Sequence, residues 1–109
     1  MYKIYDTPRF KKDLKRFLKG KNKHTVLKLT KKLKILIDLF AKNDGKIPPI
    51  YAVRKHKKMI SGEYARKGYS DAHITGDWVL IYKVDDSEKR VYLIATGTHS
   101  YLFNEGIEF

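Results

Sequence analysis

Trp78-Val-Leu-Ile-Tyr-Lys-Val84 and Arg90-Val-Tyr-Leu-Ile-Ala-Thr96, separated by Asp85-Asp86-Ser87-Glu88-Lys89, decide how this chain is read. Both runs are rich in β-branched and aromatic residues, and the polar stretch between them has the length of a hairpin turn. Antiparallel pairing puts Asp77 and Trp78, at the start of one strand, level with Thr96 to His99 at the end of the other. Side chains about twenty positions apart in the chain then become neighbours at one edge of a sheet. Just upstream, Gly68-Tyr-Ser-Asp-Ala-His-Ile-Thr-Gly-Asp-Trp78 brings Asp71 and His73 towards the same edge.

Working outward, the N-terminal part reads as helix. Tyr2-Lys-Ile-Tyr5 alternates weakly, as a short strand would, and Thr7-Pro8 then supplies a cap and a residue with the φ wanted at the first helical position. Phe10, Leu14, Phe17 and Leu18 recur at helical spacing up to Gly20, with lysines and arginines on the other faces. A second, longer helix carries Val26, Leu29, Leu33, Leu36 and Phe40 on one stripe. Asn43-Asp44-Gly45 and Pro48-Pro49 mark a loop. Helices followed by strands predict an α+β fold, two N-terminal helices packed on a small antiparallel sheet. At 109 residues, a single domain over 1–109 is expected, large enough to bury roughly two-thirds of its unfolded surface.

The formal charge is +12, unevenly spread. Residues 1 to 40 hold 13 Lys and Arg against 3 Asp and Glu, residues 41 to 60 hold 6 against 1, and residues 61 to 109 hold 5 against 8. The helical half is suited to attracting a polyanion, nucleic acid or an acidic protein, while the half with the histidines is slightly acidic. With no cysteine there is no disulfide framework, thiol nucleophile or cysteine zinc site. The longest apolar run, near Ile35-Leu36-Ile37, is too short to span a bilayer, and Met1 to Tyr5 lacks the pattern of a signal peptide. A cytoplasmic protein with no membrane partner is expected.

His56, His73 and His99 fall in the C-terminal part with Asp71 and Asp77 close to two of them. Imidazoles titrate near neutrality, so a pair can serve as acid and base. RNA cleavage without metal needs that equipment: a base takes the proton of the ribose 2′-OH, an acid protonates the departing 5′ oxygen, and cations steady the phosphorane. Asp71-x-His73 with Asp77 and His99 also offers nitrogen and oxygen ligands for Mn²⁺ or Zn²⁺, but the spacing matches no dedicated motif, and no metal or cofactor is assigned. A lone histidine is ordinarily a hydrogen-bonded or surface residue, and His24, among lysines on a helix, reads that way. Trp78 and Tyr82 read as core, while Phe103 lies beyond the strand, where an aromatic ring can stack on a base.

Lys67-Gly-Tyr-Ser-Asp-Ala-His73, Gly76-Asp-Trp78, Leu80-Ile-Tyr-Lys83 and Thr96-Gly-Thr-His-Ser100 through Leu102-Phe103 resemble, in order, the YafQ branch of the RelE-type toxins of bacterial toxin–antitoxin pairs. The resemblance extends more loosely over the basic helices. It implies a RelE-like fold and a ribosome-dependent, metal-independent mRNA endonuclease, bound to mRNA and ribosomal RNA and silenced by a cognate acidic antitoxin. It implies catalytic roles for Asp71, His73, Asp77 and His99, and a substrate contact for Phe103. His56 matches an upstream histidine, although its interval to Asp71 is a few residues longer than usual. Ala95 stands where the family often has Arg, which leaves charge stabilisation to Lys67, Arg66, Lys83 or ribosomal groups. On this reading His99 is the acid, His73 or His56 the base, and Asp77 or Asp71 the orienting carboxylate. The competing reading is a non-catalytic basic module binding RNA or DNA, although phosphate binding alone has no need of clustered His and Asp.

Overall fold

The computed structural model describes residues 1–52, 59 and 63–103. β2 (Ser70–Thr75), β3 (Trp78–Asp85) and β4 (Arg90–Thr98) form an antiparallel meander. In it Trp78 pairs with Thr98 and Asp85 with Arg90, so the start of β3 lies level with the end of β4, as the two apolar runs predict. The turn between β3 and β4 is held by Asp85, whose Oδ1 accepts from the Glu88 N–H at 3.1 Å and the Ser87 hydroxyl at 2.7 Å. Between β2 and β3 only Gly76 and Asp77 intervene. Gly76 takes φ +47 there, as glycine does at the first central position of a two-residue hairpin. Asp77 is thereby fixed at the tip.

β1 (Lys3–Asp6) completes the sheet in the order β1-β4-β3-β2, but it runs parallel to β4. The sheet is therefore mixed rather than wholly antiparallel. Four weakly alternating residues encode pairing without direction, which is set by where the helices return the chain.

α1 (Pro8–Leu18) starts as the cap residues predict, with Thr7 Oγ1 accepting from the Phe10 N–H at 3.2 Å. α2 (Lys23–Lys42) is capped by Asn22, which accepts from Thr25 at 2.8 Å. Both helices cover one face of the sheet, where Phe10, Leu33, Leu36 and Phe40 pack on Ala72, Ile74, Trp78, Leu80, Tyr82, Val91 and Leu93. Phe17 stacks on Trp78 at 4.7 Å between ring centres, and Phe40 meets Tyr82 at 4.5 Å. Of the α2 stripe, Leu33, Leu36 and Phe40 are buried while Val26 and Leu29 are half-buried.

The other face is covered in part by Met59, by α3 (Glu63–Arg66) and by α4 (His99–Leu102). Tyr64 and Leu102 there bury Val79, Ile81 and Ala95. β3 is thus enclosed on both sides, which explains five consecutive apolar residues from Trp78 to Tyr82 where a half-exposed strand would alternate. Among the described residues no helix is long and apolar enough to cross a membrane.

Candidate active site

Period-2 alternation along β2 sends Ala72 and Ile74 to the helix-covered core and turns Asp71 and His73 to the opposite face. His73 stands across from Val79. β4 ends at Thr98, whose hydroxyl caps α4 by accepting from the Tyr101 N–H at 3.2 Å. That abrupt start of a helix swings His99 back over the strand ends, where its Nε2 lies 3.0 Å from His73 Nε2.

The two imidazoles sit between two carboxylates. Asp77, on its hairpin tip, accepts from the His99 backbone N–H at 3.1 Å and makes a short contact with His99 Nδ1. At the far end Asp71 Oδ2 is 4.0 Å from His73 Nδ1, an ion-pair separation too long for a hydrogen bond. Access falls along the row: side-chain exposure is 60% for Asp77, 35% for His99, 11% for His73 and 1% for Asp71.

This geometry restricts the protons. A carboxylate only accepts, so its bond to His99 places a proton on Nδ1. Two Nε2 atoms at 3.0 Å need one donor and one acceptor, so one ring presents an N–H and the other a lone pair. The row therefore pairs one ring N–H with one ring lone pair, the two components that acid–base chemistry uses. The His99 side-chain bond, with its backbone N–H, holds the Asp77 carboxyl below the ordinary carboxylate value.

Phe103 closes the row, its ring centre 6.0 Å from His99 and 6.2 Å from Tyr64. It is half-buried, part of the wall under α4 as well as a neighbour of the imidazoles. Arg66, Lys67 and Lys83 are exposed. Lys83 lies four residues along β3 from Val79, about 13 Å of strand, so it stands away from the histidines. Ala95 is fully buried on this face, against Val79 and Ile81. His56 lies outside the described residues. Among those described, no group of three or more His, Cys, Asp or Glu is arranged to hold a metal ion.

Cations approach from another side. A cleft of about 350 Å³ beside Thr98 and Tyr101 is lined by Arg16, Lys19 and Lys21 from the end of α1. Two of them rest on aromatic faces, Arg16 at 4.5 Å over Tyr101 and Lys21 at 4.5 Å over Phe17. From sequence, Arg16 and Lys19 belong only to a basic helix face and Lys21 to the link between the helices. Sequence reasoning also passed over Asp13, although a carboxylate between Phe10 and Leu14 interrupts an apolar stripe, and that interruption was the available signal.

Solved structures that share this fold include bacterial toxins. A chain of the Escherichia coli DinJ-YafQ complex matches with a TM-score of 0.68 and 34% identity, over 95% of this chain and 100% of that one. A metal-bound toxin from Helicobacter pylori gives 0.65 and 27% identity, over 94% of this chain and 100% of the other. In sequence, the mRNA interferase toxin YafQ of E. coli K12 is 42% identical over 72 residues, 66% of this chain and 70% of that relative. Residues 2–104 match the family described as bacterial toxin of type II toxin-antitoxin system, YafQ, and the chain belongs to that family.

Proposed function

We propose that this toxin is an endoribonuclease, an mRNA interferase that cuts message on the ribosome using His99 and His73 as acid and base. The observation that carries the reading is the Nε2 pair at 3.0 Å with Asp77 behind one ring. With Asp77 bonded to its Nδ1, His99 is the oriented ring with Nε2 turned to the site, which suits it as the acid, and His73 Nε2 then serves as the base. A scissile phosphate enters by replacing the bond between the rings, each imidazole exchanging its partner for an oxygen.

In the step that follows, His73 Nε2 takes the proton of the ribose 2′-OH while the 2′ oxygen bonds to phosphorus. The bond from phosphorus to the 5′ oxygen breaks, and His99 Nε2 gives its proton to that oxygen. The products are a 2′,3′-cyclic phosphate and a 5′-hydroxyl, with the two rings left in exchanged protonation states. No metal or cofactor enters the balance. Asp77 orients His99, Asp71 lies behind His73, and Phe103 offers a face beside the acid on which a base can stack. Lys67, Arg66 and Lys83 meet the phosphate backbone farther along the sheet.

The basic faces of α1 and α2 suit ribosomal RNA, and a cognate acidic antitoxin that covers the same charge would silence the toxin. The solved complex of the E. coli relative supports such a partner. Growth tests the proposal: cells expressing the wild-type chain alone should arrest, and His99→Ala should grow normally. Arrest by His99→Ala would remove His99 from the mechanism and favour a basic module that acts by binding alone.

A further inference from the structure

A buried carboxylate on the opposite side of the sheet is tied to the turn that carries His99. Asp13 is 2% exposed within the apolar face of α1, a costly position for a charge unless its oxygens are bonded. They are. Oδ1 accepts from Arg9 Nε at 2.9 Å and from the Tyr101 hydroxyl at 2.8 Å, and Oδ2 accepts from the Thr96 backbone N–H at 3.2 Å. Arg9 Nη2 closes the loop by donating to the Tyr101 oxygen at 3.2 Å. Partial burial pulls the Arg9 pKa down, but the bond and charge of Asp13 outweigh it and the net shift is upward, so the cation persists.

The sheet explains why a helix residue is needed here. β1 stops at Asp6, opposite Leu93, and among the described residues no strand lies beside the edge of β4 beyond that point. Thr7 takes up the Leu93 carbonyl, and Asp13 takes up the Thr96 N–H. Three residues after Thr96 comes His99, and two further on Tyr101, with its ring pressed on Gly97 so closely that a Cβ there would lie 2.8 Å from Cδ2. The corner is pinned to α1 through Thr96 and Tyr101, and to the β2–β3 tip through Asp77.

We propose that Asp13 and Tyr101 are positioning residues that fix the β4–α4 corner, so that His99 Nε2 is presented to His73 and to substrate. The inference rests on the acid–base reading above but makes a separate claim about geometry. Tyr101→Phe deletes one hydroxyl and keeps the ring on Gly97, so the fold should survive; Asp13→Asn, which keeps the shape, is the second variant. Two readouts decide: the ¹⁵N resonances of the His73 and His99 rings in the free protein, and kcat and KM for cleavage of a translated message. Both variants should move the ring resonances and lower kcat by about tenfold to a hundredfold, as misplacement of a catalytic group does, with KM within about twofold. Ring resonances that stay at wild-type values, or a kcat that does, would overturn the proposal even if thermal stability falls. An inactive wild type would sink the nuclease reading, and the ring resonances would then still decide whether Tyr101 places His99.

Discussion

Asp77 is the most exposed member of the site row, yet its titration is set by His99. Its folded-state pKa is depressed, so the stability from that contact is full above the carboxylate's ordinary value of 3.8 and is lost as pH falls through the lower folded value. A carboxyl NMR titration should therefore give a midpoint below 3.8; a midpoint at or above it would mean that the contact is absent in solution. Asp77→Asn keeps an acceptor for the His99 backbone N–H but removes the carboxylate that holds the His99 ring at Nδ1. Cleavage should fall by about tenfold or more, with the loss in kcat rather than KM. At this scale His73, His99, Asp71 and Asp77 were legible, because hairpin pairing and strand alternation decide which residues meet. Asp13 was not, since its partners Arg9, Thr96 and Tyr101 lie on three elements whose mutual placement no local pattern carries. Nor did the position of Lys83 follow from sequence, because its distance from the histidines depends on strand register.

Elements were legible where a cap or a period marks them. Thr7-Pro8 starts the first helix, the 3–4 spacing from Val26 marks the second, and the paired apolar runs define β3 and β4 with only their last residues misjudged, since β4 continues to Thr98. Helical spacing told which face of α2 is apolar, but not that only Leu33, Leu36 and Phe40 would be fully enclosed. Leu36→Ala should accordingly destabilise by about 2–5 kcal/mol in a denaturant titration, whereas Leu29→Ala should cost clearly less. Equal losses would mean that the whole stripe is buried. The β4–α4 corner makes the sharper case. Gly97→Ala sets a methyl 2.8 Å from the Tyr101 ring, so it should disturb the corner and lower activity while the rest of the sheet stays paired. Wild-type activity in that variant would show that the corner tolerates displacement.

Across the whole molecule, charge and chemistry are separated. Lysines crowd the helices, while the imidazole row sits on the opposite face of the sheet, in the part of the chain with more acid than base. On the proposed function, association with ribosomes should weaken steeply as salt rises, through release of counterions from phosphates, and removing lysines from α1 and α2 should flatten the slope. A salt-insensitive association would argue against phosphate contacts. Composition revealed the separation of charge, but the parallel docking of β1 on β4 is a property of the assembled fold alone. The most direct test of the account is primer extension on a translated message with the wild-type toxin and with His99→Ala. Position-specific breaks are expected with the first and intact message with the second; intact message with the wild type, or the same breaks with both, would contradict it.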